Sequence, residues 1–373
     1  MISLPHPRRV LIFATLLSLF AAACGGGGDA ADAGSTSSTT TSTEVEVVED
    51  VATDVPDTTT TSTAAPPAAG PVMPFTGEPL DGSEAPSHAA VVVKISNNDD
   101  AARQALNGLD QADIVFEERI EQEATRFAAV FHSSLPTEVG SVRSGRTSDV
   151  QIVANLGVPV FAFSGANDGV HAQLREAENN GLIVRSSADF GDSEFSRISS
   201  ASAPNNLVAD VQALAAKSDG DAAPTPIMNY ENNVLELGVP SAGVSVEQRT
   251  PANFVWDADL GGYRRYDGSS PAVTREDIPI APTNVVILTT TYVPSRIDAS
   301  SVDALTVGSG RVDVYSNGYV VQGTWTREFE RDPYTFVTAD GQEIGLAPGQ
   351  TWISLAPVGT GTELSQQAAQ EFG

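Results

Sequence analysis

Arginines and acids crowd one stretch of this chain. They include Arg103, Asp110-Gln111-Ala112-Asp113, Glu117-Glu118, Thr125-Arg126-Phe127 and Val142-Arg143-Ser144-Gly145-Arg146. Arginine carries a planar fork of N–H donors that fits a carboxylate or phosphate bidentately. Arg103, Arg126, Arg143 and Arg146 are therefore candidate contacts for an anionic ligand, with Asp113 and Glu117 orienting them. The same side chains would equally form a structural ion-pair network. Farther on, Tyr263-Arg264-Arg265-Tyr266 and Trp325-Thr326-Arg327 combine aromatics with arginine. That chemistry suits stacking on sugars or gripping a partner, and suits ordinary cross-strand pairing just as well.

A different chemistry attaches to Ser164, which ends an apolar run and precedes a helix-like segment, the placement of a nucleophile elbow. Ala162-Phe-Ser-Gly-Ala166 lacks that motif's outer glycine pair, and helix capping by Ser164 or Asn167 accounts for the same residues. The catalytic alternative to a binding protein is thus a hydrolase or transferase of envelope polymers using Ser164 or Glu117. His88, His132 and His171 show no paired-ligand spacing, so no metal is expected. Neither Gly25–Gly28 nor Gly261-Gly262 forms a phosphate cradle, and no cofactor is expected.

These residues need elements to position them. Ala89–Ile95 reads as a buried strand, with Ala112–Glu121 and Ala124–His132 as neighbouring strands. Ser144–Leu156 reads as an amphipathic helix ended by Gly157, Val158–Phe163 as a strand, and 167–179 and 206–217 as helices. After Thr225 the texture becomes β-rich. Asn317-Gly318 and Asp340-Gly341 are hairpin signals, joining Val312–Tyr315 to Tyr319–Thr326 and Tyr334–Thr338 to Gln342–Leu346. Trp352–Leu355 is a closing strand, and the tail beyond Pro357 reads as loosely held. The expected class is α+β: a layered α/β N-terminal domain over 72–222, a mostly β C-terminal domain over 226–358, and a tail over 359–373.

Ahead of these lies an export segment. Arg8-Arg9, an apolar run from Val10 to Phe20 and Ala21-Ala22-Ala23 precede Cys24, the only cysteine among 373 residues. The run is shorter than the ~20 residues of a spanning helix, so 1–23 reads as a signal peptide and Cys24 as the lipidated residue that anchors the protein to the membrane. Secretion without a lipid fits the same pattern. Residues 24–71 form a Ser/Thr-rich acidic tether, with eight acids and no base between Gly25 and Gly70. The remaining 40 acids and 18 bases leave a net charge of −22, which opposes nucleic acid and anionic lipid. The expected location is the extracytoplasmic face of the cell membrane, and the expected partners are a cell-wall-derived ligand or an envelope protein.

Several motifs, in order, resemble the YerB-like lipoproteins, a family built on a domain of unknown function. They are Pro74–Leu80, Val93–Asn97, Gly108–Glu117, Thr125-Arg-Phe127, Gly140–Arg146 and Ala203–Leu207, followed by Gly323-Thr-Trp325 and Pro348–Ile353. The resemblance implies a two-domain α+β envelope lipoprotein and implies no reaction. Against the family pattern, Ser96 stands in place of Asp, Glu121-Gln122-Glu123 in place of a Gly-containing turn, and Asn205 in place of His. If that Asp and His perform acid–base chemistry in relatives, this chain binds without catalysing.

Overall fold

The structure, a computed structural model, describes residues 71–82, 84–218 and 224–372; the signal segment, Cys24 and the tether to Gly70 lie outside the described residues. A twelve-stranded mixed sheet runs through the fold. Its main path begins Thr335–Val337, Tyr319–Arg327, Gly308–Ser316, Asn284–Pro294 and Thr351–Pro357. It continues Ile114–Arg119, Thr125–Phe131, Val91–Ser96, Val160–Phe163 and Val184–Ser187. Thr351–Pro357 is not a closing edge. It lies in the middle, parallel both to Asn284–Pro294 and to Ile114–Arg119, and so joins strands from the two halves of the chain.

Both faces of this sheet are covered, which is why its central strands are nearly continuous apolar runs. On one face Ile114, Phe116, Ala128 and Val130 pack with Ile152 and Val153 of the helix Asp149–Val153 and with Val170 and Leu174 of the helix Asp168–Asn179. On the other, Val115, Phe127, Ala129 and Val285 meet Val211 and Leu214 of the helix Val211–Ala215. A five-stranded antiparallel sheet covers the rest of that face, in the order Ser270–Pro271, Gly262–Asp267, Ala252–Asp257, Gly243–Val246 and Gly361–Glu363. The class is α+β, with the helices mainly in the N-terminal part and a largely stranded C-terminal region.

Some local expectations give way to tertiary demands. Only Asp149–Val153 of the 144–156 segment is α-helical, because Arg143 and Gly145 bond the backbone of Lys94 and Gly165 instead. Leu207–Ala209 is a strand, and the helix after it starts at the Asp210 cap. The Asn317-Gly318 hairpin forms as expected, whereas after Asp340-Gly341 the returning limb makes only a bridge from Glu343 to Val337. The tail is held: Gly361–Glu363 pairs with Gly243–Val246, and Phe372 packs on Tyr266.

Glu117 and Arg265 fasten the two sheets together. Strand residues alternate between faces, so adjacent Glu117 and Glu118 point to opposite sides of the central sheet. Glu117 is fully buried and accepts five hydrogen bonds: two from Arg265 at 2.6 and 3.0 Å, and one each from Trp352 (3.0 Å), Thr125 (2.9 Å) and Gln248 (2.9 Å). Arg265 also bonds Asp267 at 2.9 Å, and its guanidinium lies 4.5 Å from the Trp352 ring centroid. Burial pushes the Glu117 carboxyl upward, but the charge and hydrogen bonds of Arg265 outweigh it and hold the pKa below the usual value. Removing one partner of a buried pair strands the other, at about 3–5 kcal/mol. Glu117→Leu should therefore cost stability near the low end of that range, because Asp267 still compensates part of the Arg265 charge. Urea denaturation measures it, and a loss below about 1 kcal/mol would contradict the fastening role.

Candidate functional site

The six sequence candidates separate into distinct places. Glu117 faces the five-stranded sheet and has no contact with Arg126 or Arg143; its company is Arg265 and Trp352. Asp113, at the opposite end of the same strand, is buried and accepts from the Ser133 backbone N–H (2.9 Å) and hydroxyl. Burial raises its pKa to about 6 against those hydrogen bonds. Arg103 donates to Asp100 (2.6 Å) and the Asn97 carbonyl (3.1 Å), and borders a separate cavity of about 380 Å³ with Arg275, Thr274 and Asp267.

Arg126, Arg143 and Arg146 are the ones brought together. The strands Val91–Ser96, Ile114–Arg119, Val160–Phe163 and Val184–Ser187 run parallel, with Thr125–Phe131 antiparallel among them. Arg126 therefore enters its strand at the end where the parallel strands finish, opposite Ser96 and Glu118. This is the sheet end where open α/β folds hold their ligands. The irregular 143–148 segment crosses that end, tied down by Arg143 N–H to the Lys94 carbonyl, Ser164 N–H to the Arg143 carbonyl and Gly145 N–H to the Gly165 carbonyl.

A buried charge network lies beneath. Lys94 bridges Glu118 and Asp149, the latter at 2.6 Å, with all three side chains essentially inaccessible. Asp149 also accepts from the Arg146 backbone N–H at 2.6 Å. Arg146 pairs with Glu121, its Nη2 3.0 Å from Oε2. Arg143 reaches only the Ser96 hydroxyl, at 3.5 Å, and forms no ion pair among the described residues. Arg126, 6% exposed, donates Nη1 to the Ser144 carbonyl at 2.6 Å, while its Nε has no protein partner. Burial first, and then the charges of Arg146 and Arg143, lower its pKa to about 10 against the pull of Glu118 and Glu121. The arrangement is a guanidinium pair without carboxylates, next to a third arginine that has one.

The remaining candidates sit nearby. Ser164 follows its strand as expected, but Asn167 is the residue that caps the helix, accepting from Val170 at 2.9 Å. His171 lies 4.0 Å from the Asp189 carboxylate and packs on Phe163 and Phe190, with no hydrogen bond to Ser164 among the described residues. No group of three or more metal-ligating side chains is assembled among the described residues. The family departures also have places. Gln122 and Glu123 take φ of 56° and 61°, conformations natural to glycine, while Glu121 supplies the partner of Arg146. Asn205 is buried beside Ser141, 3.5 Å from its hydroxyl.

Lys94 and Asp149 did not stand out in the sequence; Glu118 stood out only as part of the charged stretch, and Arg265 only as part of the Tyr263–Tyr266 patch, where the structure makes it the buried partner of Glu117. A lysine inside Val-Val-Val-Lys-Ile was the available signal, since a buried lysine needs acids.

Fold and site together define a layered α+β protein with an arginine cluster at its parallel strand ends. No described helix is long and apolar enough to cross a membrane. The chain belongs to the family described as "Protein of unknown function (DUF3048)": the N-terminal domain matches residues 75–224 and the C-terminal domain residues 242–353. A relative named "Putative lipoprotein YerB", from Bacillus subtilis (strain 168), is 26% identical over 279 residues, spanning 72% of this chain and 81% of its own. The crystal structure of YerB from Bacillus subtilis has the same fold, with a TM-score of 0.65 at 23% identity over 79% of this chain and 99% of that one.

The network makes a pH prediction. Burial raises the Glu118 pKa to about 7; Lys94 opposes the shift and Asp149 adds to it. Between the ordinary glutamate value of 4.5 and about 7, the native state keeps a proton that the unfolded chain has released. Stability should therefore fall as pH rises through that window. Asp113 adds the same sign up to about 6, whereas His132, whose pKa burial lowers from 6.5 to about 4, opposes the fall below 6.5 and leaves the Glu118 contribution clearest above it. Glu118→Gln should flatten chiefly the upper part of the fall, measured by urea midpoints across the window, and an unchanged slope would refute this assignment.

Proposed function

We propose that this lipoprotein-family protein is a non-catalytic binding protein that recognises an anionic group, carboxylate or phosphate, on a cell-wall-derived ligand or envelope partner. The observation that carries the reading is Arg126: a buried guanidinium with an unpartnered Nε and no ion pair among the described residues, beside a half-buried Arg143 that forms no ion pair among them either. Burying an uncompensated cation is costly, and an anion docking there would offset the cost. Arg143 and Arg126 make the contacts, Arg146 is positioned by Glu121, and Asp113, Glu117 and Arg103 belong to the scaffold. Glu117, its carboxylate already occupied by five donors, is poorly suited to act as base or nucleophile.

Titration of the full-length protein in detergent with inorganic phosphate and with soluble wall fragments tests this. Arg126→Gln should weaken binding about tenfold to a hundredfold, the equivalent of roughly 1.5–3 kcal/mol for a charged hydrogen bond. Binding by neither probe, or equal binding by the variant, would overturn the reading.

The anchor is the other half of the proposal. A cleaved and lipidated Cys24 would hold this acidic protein at the extracytoplasmic face, with the tether presenting the folded part to the envelope. Mass spectrometry should find a diacylated N-terminal peptide beginning at Cys24, and Cys24→Ser should release the protein from the membrane fraction. An unmodified Cys24 in secreted protein would refute the anchor.

A further inference from the structure

One carboxylate already sits on the arginine cluster. Arg146 donates from Nε and Nη2 to Glu121 Oε2, at 3.2 and 3.0 Å. The pair is near the surface: the Arg146 side chain is 18% exposed and that of Glu121 25%. Other acids around the cluster are placed differently. Glu118 lies beneath it, buried and paired with Lys94. Asp99 acts on Arg143, and Asp298 on Arg146, only through space, with no hydrogen bond between them among the described residues. Arg143 and Arg146 repel one another, and both repel Arg126. Glu121 is therefore the one acid bonded to a guanidinium of the cluster among the described residues.

Glu121 begins the turn between the strands Ile114–Arg119 and Thr125–Phe131. The backbone of that turn is fixed: Ile120 N–H donates to the Ala124 carbonyl at 2.7 Å and Arg249 N–H to the Glu123 carbonyl at 2.9 Å. The Glu121 carboxylate has no hydrogen-bond partner but Arg146 among the described residues, so rotation of its side chain alone releases it. A carboxylate tethered in this way competes with any ligand for Arg146 at high effective concentration. A ligand carboxylate that displaced it would exchange one single charge for another. A phosphoryl dianion brings a second charge, and Arg143 and Arg126, which form no ion pair among the described residues, attract it.

Resting on the binding reading above, we propose that Glu121 is a tethered stand-in for the ligand, displaced from Arg146 by a doubly charged phosphoryl group. The site thereby selects a phosphate monoester or free phosphate over a carboxylate. Calorimetric titration of the full-length protein in detergent tests it, at about pH 8, where a phosphate monoester is a dianion. The probes are inorganic phosphate, glycerol 3-phosphate and acetate. The wild type should bind the better phosphate at least about tenfold more tightly than acetate. Which phosphate binds better distinguishes a free from an esterified source, and either supports the proposal. Glu121→Gln should tighten phosphate binding about threefold to fivefold, the reach of a partly exposed ion pair. In an Arg146→Gln background the same substitution should give no gain. A smaller preference over acetate, no gain from Glu121→Gln, or a gain that persists without Arg146 would each overturn the proposal, the last because it reflects general charge repulsion. Binding of none of the probes by the wild type would overturn the binding reading itself, and this proposal with it.

Discussion

The pairing of Glu117 with Arg265 is the constraint around which the rest is arranged. It joins a carboxylate on the central sheet to a guanidinium on the five-stranded sheet, in an interior that excludes water. Charges so placed are tolerated only when nearly every donor and acceptor is matched. Trp352, Thr125 and Gln248 complete the carboxylate, and Asp267 with the rings of Phe127, Phe254 and Trp352 completes the guanidinium. These residues come from both halves of the sequence. Trp352 lies on the strand that pairs with the Glu117 strand and donates to the same carboxylate, so the cluster also registers the two halves against each other.

The opposite face of the same strands is organised differently. Lys94 is paired with both Glu118 and Asp149 in the interior, whereas Arg126 and Arg143 above them form no ion pair among the described residues. One face therefore uses charge to hold layers together, and the other leaves positive charge unmatched at the parallel strand ends. That asymmetry separates scaffold from candidate site within a single pair of adjacent residues, Glu117 and Glu118.

Much of the fold was legible. Ala89–Ile95, the paired runs before and after residue 123, the helix from Asp168 and the Asn317-Gly318 hairpin follow from apolar patterning and turn chemistry, which act over a few residues. The 144–156 segment was misread as one helix because its apolar spacing is helical, yet its first residues bond neighbouring strands. The site was legible in part. The arginines of Thr125-Arg126 and Val142–Arg146 do converge, but Glu117 and Asp113 leave them, since a period-two strand sends neighbours to opposite faces and the pattern does not say which face is which.

By itself the sequence determined the α+β class, the export-like start with its lone cysteine, the acidic charge balance and the family motifs, because each depends on composition or on residues close along the chain. Tertiary structure alone decided that Thr351–Pro357 lies between the halves, that Arg265 and not Arg126 neutralises Glu117, and that Arg126 and Arg143 form no ion pair among the described residues. The physical reason is the same in each case. Pairing of buried charge is settled by which distant strands become neighbours, and no local pattern carries that information.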